Sequence, residues 1–88
     1  MTEELNWTPD LEWRSANRAE HVIVGLYELV AFDLPASDSH PREIGWEVYT
    51  GPKLLDQVAS GIAESFDEAK SQAEIVWRGA RLAGRHLT

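Results

Sequence analysis

A capped amphipathic helix near the end of the chain constrains the fold most. Ser65 and Glu68 form a Ser-x-x-Glu capping box, in which two side chains satisfy backbone N–H groups at a helix start. The apolar residues that follow recur at the spacing of one helical face, and they are Ala69, Ala73, Val76, Trp77 and Ala80. The sequence therefore predicts a helix over residues 65–84, ended by Gly84, with an earlier end at Gly79 as the alternative. Because this face is mostly alanine, we expect the helix to lie close to its support.

The segment 22–34 is rich in β-branched and aliphatic residues and precedes Pro35, which favours a strand. Both of its faces are partly apolar. One face carries Val22, Val24, Leu26, Val30 and Phe32, and the other carries Ile23, Tyr27, Leu29 and Ala31. We interpret Gly25 as a bulge that exchanges the two faces. A helix is the alternative, because part of the apolar pattern also follows helical spacing.

Shorter segments complete the predicted sheet. Residues 45–50 and 57–63 alternate as strands do, and residues 11–14 predict a short first strand. Residues 35–43 form a polar loop, and Gly51 with Pro52 turns the chain. Consecutive strands with short links pair antiparallel. The predicted fold class is α+β, a three- to four-stranded antiparallel sheet with one C-terminal helix packed on one face, in the order β-β-β-β-α.

Size and composition limit the kind of protein. The 88 residues predict a partly ordered segment over 1–10, a single domain over 11–84 and a tail over 85–88. The absence of cysteine excludes a disulfide framework and thiolate metal sites. No apolar run approaches the roughly 20 residues of a membrane span, and the acidic start is the opposite of a signal peptide. These features predict a cytoplasmic protein.

The net charge of −7 is unevenly distributed along the chain. Residues 1–68 contain fourteen acidic and four basic residues, a net charge of −10, whereas residues 69–88 contain one acidic and four basic residues, a net charge of +3. An acidic surface repels phosphate, so direct nucleic-acid binding is disfavoured and a protein partner with a basic surface is favoured. The alternative is that the charge only maintains solubility.

The sequence shows no pattern that supports catalysis or metal binding. It contains no Gly-x-Ser-x-Gly, and the segment at Lys53 lacks the glycines and the Ser or Thr of a phosphate loop. None of the three histidines has a second histidine or a carboxylate at a recognised metal-binding spacing in the sequence. They are His21, His40 and His86. We therefore expect no enzyme activity, no metal and no cofactor.

Tryptophan and arginine supply further contact candidates. Trp46 and Trp77 lie on predicted core faces. Trp7 and Trp13 either close the edge of the core or anchor an interface, where tryptophan is enriched. A basic stripe on the helix is a secondary candidate surface, formed by Arg78, Arg81 and Arg85. It either complements the helix dipole or contacts phosphates.

Residues 45–77 resemble a pattern found in small hypothetical proteins of phages and prophages. A Trp-bearing strand, here beginning at Trp46, precedes a Val-Ala-Ser-Gly-x-Ala strand at 58–63 and a capped Glu-Ala-Lys-x-x-Ala-Glu helix at 68–74. The resemblance implies this fold and a mobile-element origin, hence a host-cell cytoplasm, and it carries over no catalytic or binding residue. In size and charge the chain is similar to anti-CRISPR proteins, by analogy alone.

The function predicted from these observations is non-enzymatic binding and inhibition of a host nucleic-acid-handling or defence protein, with carboxylates in the place of phosphates. The candidate partner-binding residues are Glu28, Asp33, Asp38, Glu43, Glu47, Trp7 and Trp13. The alternative is a structural or assembly protein that forms a homodimer through the second apolar face of residues 22–34.

Overall fold

The structure, a computed structural model, describes residues 5–11, 13, 16–51 and 53–86, and it describes side chains only as far as residue 80. The elements follow in the order β1 (Thr8–Pro9), β2 (Arg18–Val24), β3 (Tyr27–Leu34), β4 (Glu43–Thr50), β5 (Asp56–Ile62) and α1 (Phe66–His86). All strand pairs are antiparallel, in the order β1-β2-β3-β4-β5. The α+β class, the antiparallel sheet and the C-terminal helix are confirmed, with five strands in place of three to four.

The additional strand comes from residues 22–34, which form part of a hairpin and neither one bulged strand nor a helix. β2 and β3 pair as far as Val24↔Tyr27, which leaves only Gly25 and Leu26 in the turn. Gly25 has a φ of 59°. Glycine adopts this left-handed conformation readily, and tight hairpin turns require it at their first central position. The same glycine that suggested a bulge is therefore a chain reversal.

The hairpin also changes which apolar residues share a face, so the predicted grouping was wrong. Side chains on the α1 side of β2 and β3 are Val22, Val24, Tyr27, Leu29 and Ala31. Those on the opposite side include Ile23, Val30 and Phe32. The reason is geometric, because opposed residues of paired strands point to the same face, whereas one continuous strand would simply alternate.

The core lies between α1 and the middle of the sheet. Its buried members are Leu29, Ala31, Trp46, Val48, Phe66, Ala69, Ala73 and Trp77. Trp46 also donates its Nε1–H to Oε1 of Gln72 on α1 at 2.7 Å. Small residues on both elements permit this close approach, since Ala69 and Ala73 are fully buried and Gly61 lies against the Trp46 indole. The predicted alanine face and the two predicted core tryptophans are confirmed.

The start of α1 agrees with the predicted capping box, and its end does not. The Glu68 N–H donates to Oγ of Ser65 at 3.1 Å, and Glu68 Oε2 accepts the N–H of Glu64 at 2.9 Å, one residue before the cap. The helix continues through Gly84 to His86. A single helical glycine costs only about 1 kcal/mol, which an established helix tolerates.

Leu11 and Trp13, the described residues of the strand predicted over residues 11–14, do not lie in a strand. Leu11 lies in a turn, and Trp13 lies in a helical turn with a 2.9 Å hydrogen bond from the Ala16 N–H to the Trp13 carbonyl. The Trp13 ring stacks on Phe32, with centroids 4.6 Å apart. Aromatic residues favour strands on average, but here a long-range ring contact fixes the position. Residues 12, 14 and 15 lie outside the described part of the chain.

Candidate protein-binding surface

The side of the sheet opposite α1, here called the open face, carries several of the predicted acidic contacts. Its side chains alternate with those of the core along β2 to β5. They are Ala19, His21, Ile23, Glu28, Val30, Phe32, Leu34, Glu43, Glu47, Tyr49, Gln57, Ser60 and Ile62. Glu28, Glu43 and Glu47 therefore share one surface of the protein. None of the lysines or arginines on the described strands lies on this face.

The centre of the open face is packed within the chain itself. Val30 is 1% exposed and Phe32 is 5% exposed, with the Trp13 ring stacked on Phe32. Glu47 is also buried, and its carboxylate accepts a hydrogen bond from the Tyr49 hydroxyl. The second apolar face that motivated the homodimer prediction is therefore covered at its centre by side chains of the same chain.

Glu28 is held by a neighbour on the same face. Its Oε2 lies 2.8 Å from Nδ1 of His21, across the β2–β3 hairpin. Both side chains are half-buried. This contact fixes the orientation of the Glu28 carboxylate on the open face.

Asp33 lies on the α1 side of the sheet and is occupied by an arginine. Arg42 donates from Nε and Nη2 to the two carboxylate oxygens at 2.9 and 2.7 Å. The hydrogen bond from Arg42 holds the pKa of Asp33 below its ordinary range. This bidentate pair fastens the β3–β4 loop to the sheet, so the charge of Asp33 is neutralised by its own chain.

Cations gather on the α1 side. Lys70 and Arg18 contact Glu20 at 3.1 and 2.9 Å. Burial raises the pKa of Glu20, but the hydrogen bonds and charges of Lys70 and Arg18 outweigh it and bring that pKa below its ordinary value. With the Arg42 pair and the 3.4 Å Arg78–Glu74 pair, four of the five described cationic side chains are paired with acids. The cations of this half of the protein are thus matched locally.

A cleft of about 770 Å³ opens where the β3–β4 loop meets the end of β5 and the start of α1. Its apolar lining consists of Leu34, Pro35, Pro41, Ile44, Ile62 and Ala63. Glu43 and Glu64 also line it, as do His40 and Arg42. Because Arg42 is paired with Asp33, the two glutamates give the cleft an acidic margin.

One wall of this cleft is an ordered loop. The Ser37 N–H donates to the His40 carbonyl at 2.8 Å, and the His40 N–H donates to Oγ of Ser37 at 3.2 Å. Asp38 lies in the turn that these bonds close, and it is exposed. The loop is therefore held at its tip by the serine and at its base by the Asp33–Arg42 pair.

The two uncertain tryptophans have different places. Trp7 lies on the α1 side, where its Nε1–H donates to Oε2 of Glu74 at 2.8 Å and Lys70 Nζ lies 5.9 Å from its ring centroid. Trp7 thus closes the edge of the core, whereas Trp13 belongs to the cover of the open face. In the secondary arginine stripe, Arg78 pairs with Glu74. The side chains of Arg81 and Arg85 lie outside the described ones.

Sequence reasoning did not identify the cleft or the edge position of β5. Ile62, which belongs to both, is 72% exposed. One signal was present, because the chain carries no charge from residue 57 to residue 63. The strand order that turns this neutral segment into a sheet edge is a long-range property.

Comparisons with protein-family models, curated proteins and solved structures found no match. Among the residues described, no group of three His, Asp or Glu side chains is arranged to hold a metal ion. Within the same part of the chain, no helix has the length and apolarity needed to cross a membrane.

Proposed function

We propose that this chain is a non-enzymatic protein-binding module that presents an acidic surface to a basic partner. The segregation of charge carries the proposal. The open face exposes Glu28 and Glu43, and none of the lysines or arginines on the described strands lies there, whereas the α1 side matches its cations with acids. A surface with one sign of charge steers partners of the opposite sign and rejects phosphate.

The partner class follows from the same charge. Proteins that handle nucleic acids bind phosphates through lysine and arginine. Carboxylates on a rigid sheet compete for those cations, so a chain seated in such a channel excludes the nucleic acid. This is the inhibitory, anti-CRISPR-like role expected from the sequence, with a mobile element as its source.

A pair of variants with equal net charge tests the open face. E43Q removes one negative charge there, and S71K adds one positive charge on an exposed position of α1. We measure binding of each to a ten-residue oligolysine peptide by titration calorimetry at about 50 and about 300 mM NaCl. We expect binding that weakens with salt, and a larger loss for E43Q than for S71K.

Two results would contradict the proposal. Equal losses for E43Q and S71K would mean that net charge alone acts and that the open face has no special role. Salt-independent binding would remove the electrostatic argument. The homodimer alternative has less support, because the exposed apolar residues of the open face, Ile23 and Ile62, lie on strands at opposite sides of the sheet.

A further inference from the structure

The outer side of β5 presents backbone hydrogen-bonding groups that β4 does not use. The Ala63 N–H donates to the Ile44 carbonyl at 2.8 Å, which identifies these residues as a hydrogen-bonded pair. In an antiparallel ladder such pairs alternate with pairs that are not bonded. Gly61 therefore bonds to β4, whereas the N–H and C=O groups of Ser60 and Ile62 point away from the sheet. Within the described part of the chain, no strand lies beyond β5.

This edge lacks most of the features that prevent strand addition. Between Asp56 and Glu64 there is no charged residue and no proline. A register shift next to Val58 distorts the start of the strand, but pairing is regular from Ala59 to Ile62. Val58 is 50% exposed and Ile62 is 72% exposed. The regular half of β5 is thus an uncharged template that no other strand of the described chain covers.

The edge is continuous with the cleft described above. Ile62 ends β5 and also lines the cleft, beside the apolar side chains of Leu34 and Ile44. A segment that pairs with β5 therefore runs into the cleft, where an apolar side chain finds a matching lining. Backbone pairing supplies affinity in such complexes, and a pocket for a side chain supplies specificity.

We propose that β5 accepts an extended segment of the partner as a sixth strand, with one apolar side chain in the cleft. The inference rests on the proposed function and adds the mode of binding. Charge favours a basic segment over a second copy of this chain. Antiparallel pairing of two β5 strands would bring Asp56 of one copy towards Glu64 of the other, whereas a basic segment places its cations near these acids.

The first experiment follows amide hydrogen exchange in the ¹⁵N-labelled full chain. The probe is a blocked ten-residue peptide of five Lys-Val repeats, which combines positive charge with the alternation of a strand. Its control is the same peptide with a methyl group on every backbone nitrogen, which has the same charge and side chains but no N–H with which to pair as a strand. We expect the unmethylated Lys-Val peptide to bind more tightly and to slow exchange at Ser60 and Ile62 by about tenfold or more. The methylated peptide should leave both rates unchanged.

A matched pair of variants tests the same edge by affinity. S60P removes an outward N–H without breaking the ladder to β4, and S60A keeps that N–H. S60P should weaken binding of the Lys-Val peptide about five- to tenfold, whereas S60A should not. Thermal unfolding checks that both variants are folded. If S60P does not fold, the exchange rates of the unmodified chain still test strand addition.

The outcomes separate this inference from the proposed function. Equal binding of the two peptides, with no slowing at Ser60 or Ile62, overturns strand addition and leaves the acidic surface as the binding site. Failure of both peptides to bind at low salt overturns both proposals. If the amides of Ser60 and Ile62 are already protected in the chain without peptide, and this protection grows with protein concentration, a second copy occupies the edge and the inference is overturned.

Discussion

At two positions of the sheet, a missing side chain makes room for an aromatic ring. A Cβ on Gly61 would lie 2.7 Å from the Trp46 indole. A Cβ on Gly45 would lie 2.5 Å from the backbone carbonyl oxygen of Gly61 and 2.9 Å from Cζ of Phe32. All three distances are shorter than van der Waals contact allows. Gly61 thus serves the close packing of the Trp46 ring, and Gly45 serves the close approach of both the β5 backbone and the Phe32 ring.

Replacement of Gly61 by alanine should destabilise the fold by about 1–3 kcal/mol, because the added methyl group displaces the packed Trp46 indole. Gly79 is the control, since a Cβ there meets nothing within 4 Å and its position in α1 is exposed. G79A should stabilise by about 0.5–1 kcal/mol through helix propensity. Urea unfolding followed by tryptophan fluorescence measures both. Equal stability of G61A and the unmodified chain would contradict the packing argument.

The Asp33–Arg42 pair should make stability depend on pH. The pKa of Asp33 is lower in the folded chain than in the unfolded chain, chiefly through the hydrogen bond from Arg42. Its contribution is therefore present above the unfolded pKa and is lost as the pH falls through the folded pKa. We expect D33N to lower the melting temperature at neutral pH. Between about pH 6 and about pH 3, the melting temperature of D33N should fall less than that of the unmodified chain.

The control for this pair is D38N, which removes an equal charge from the exposed tip of the same loop. D38N should leave the pH profile close to that of the unmodified chain. A D33N profile that parallels the unmodified profile over the whole range would show that the ion pair contributes no pH dependence.

Among the structural elements, those with local signals could be predicted from the sequence. The start of α1 depends on Ser65 and Glu68, which are three residues apart, and the prediction was correct. The β2–β3 turn also depends on a local residue, Gly25, but its role was misread. A bulge and a two-residue turn use the same glycine conformation, and only the pairing of Val24 with Tyr27 distinguishes them.

The cap of α1 can be tested as an element by itself. S65A removes the side-chain acceptor of the Glu68 N–H and should destabilise the chain by about 1 kcal/mol. Ser71 provides the matched control, because it lies on an exposed position inside the same helix. S71A should change stability by about 0.5 kcal/mol or less, in the stabilising direction. Urea midpoints that do not separate the two variants would contradict the role of the cap.

At the scale of the whole molecule, the sequence predicts an excess of acidic residues. It does not predict where each of them lies or which are paired with a cation. Asp33 and Glu43 looked equivalent in the sequence, yet the structure neutralises Asp33 with Arg42 and places Glu43 at the cleft. No pattern in the sequence indicates the pairing of Asp33 or the position of Glu43, because each depends on which strands become neighbours. The candidate surface was thus predictable in sign and only partly in position.

The position of each strand in the sheet should set the order in which its amides become exposed by local or global unfolding. β3 and β4 lie in the middle of the sheet, each with four consecutive buried residues, and α1 packs mainly on these two strands. We expect the slowest amide exchange in the middle of β3 and β4, where it requires global unfolding. The outward amides of Ser60 and Ile62 should exchange far faster than the inward amide of Gly61 between them.

The G61A variant provides the check on this cooperative unit. If the slow amides of β3 and β4 exchange only through global unfolding, G61A must accelerate all of them by one common factor, tenfold for each 1.4 kcal/mol lost in the urea experiment. The fast amides at the β5 edge should keep their rates, since they exchange without unfolding. Acceleration confined to β4 and β5 would instead show that β5 opens separately. An edge that opens by itself could not hold the rigid template that strand addition requires.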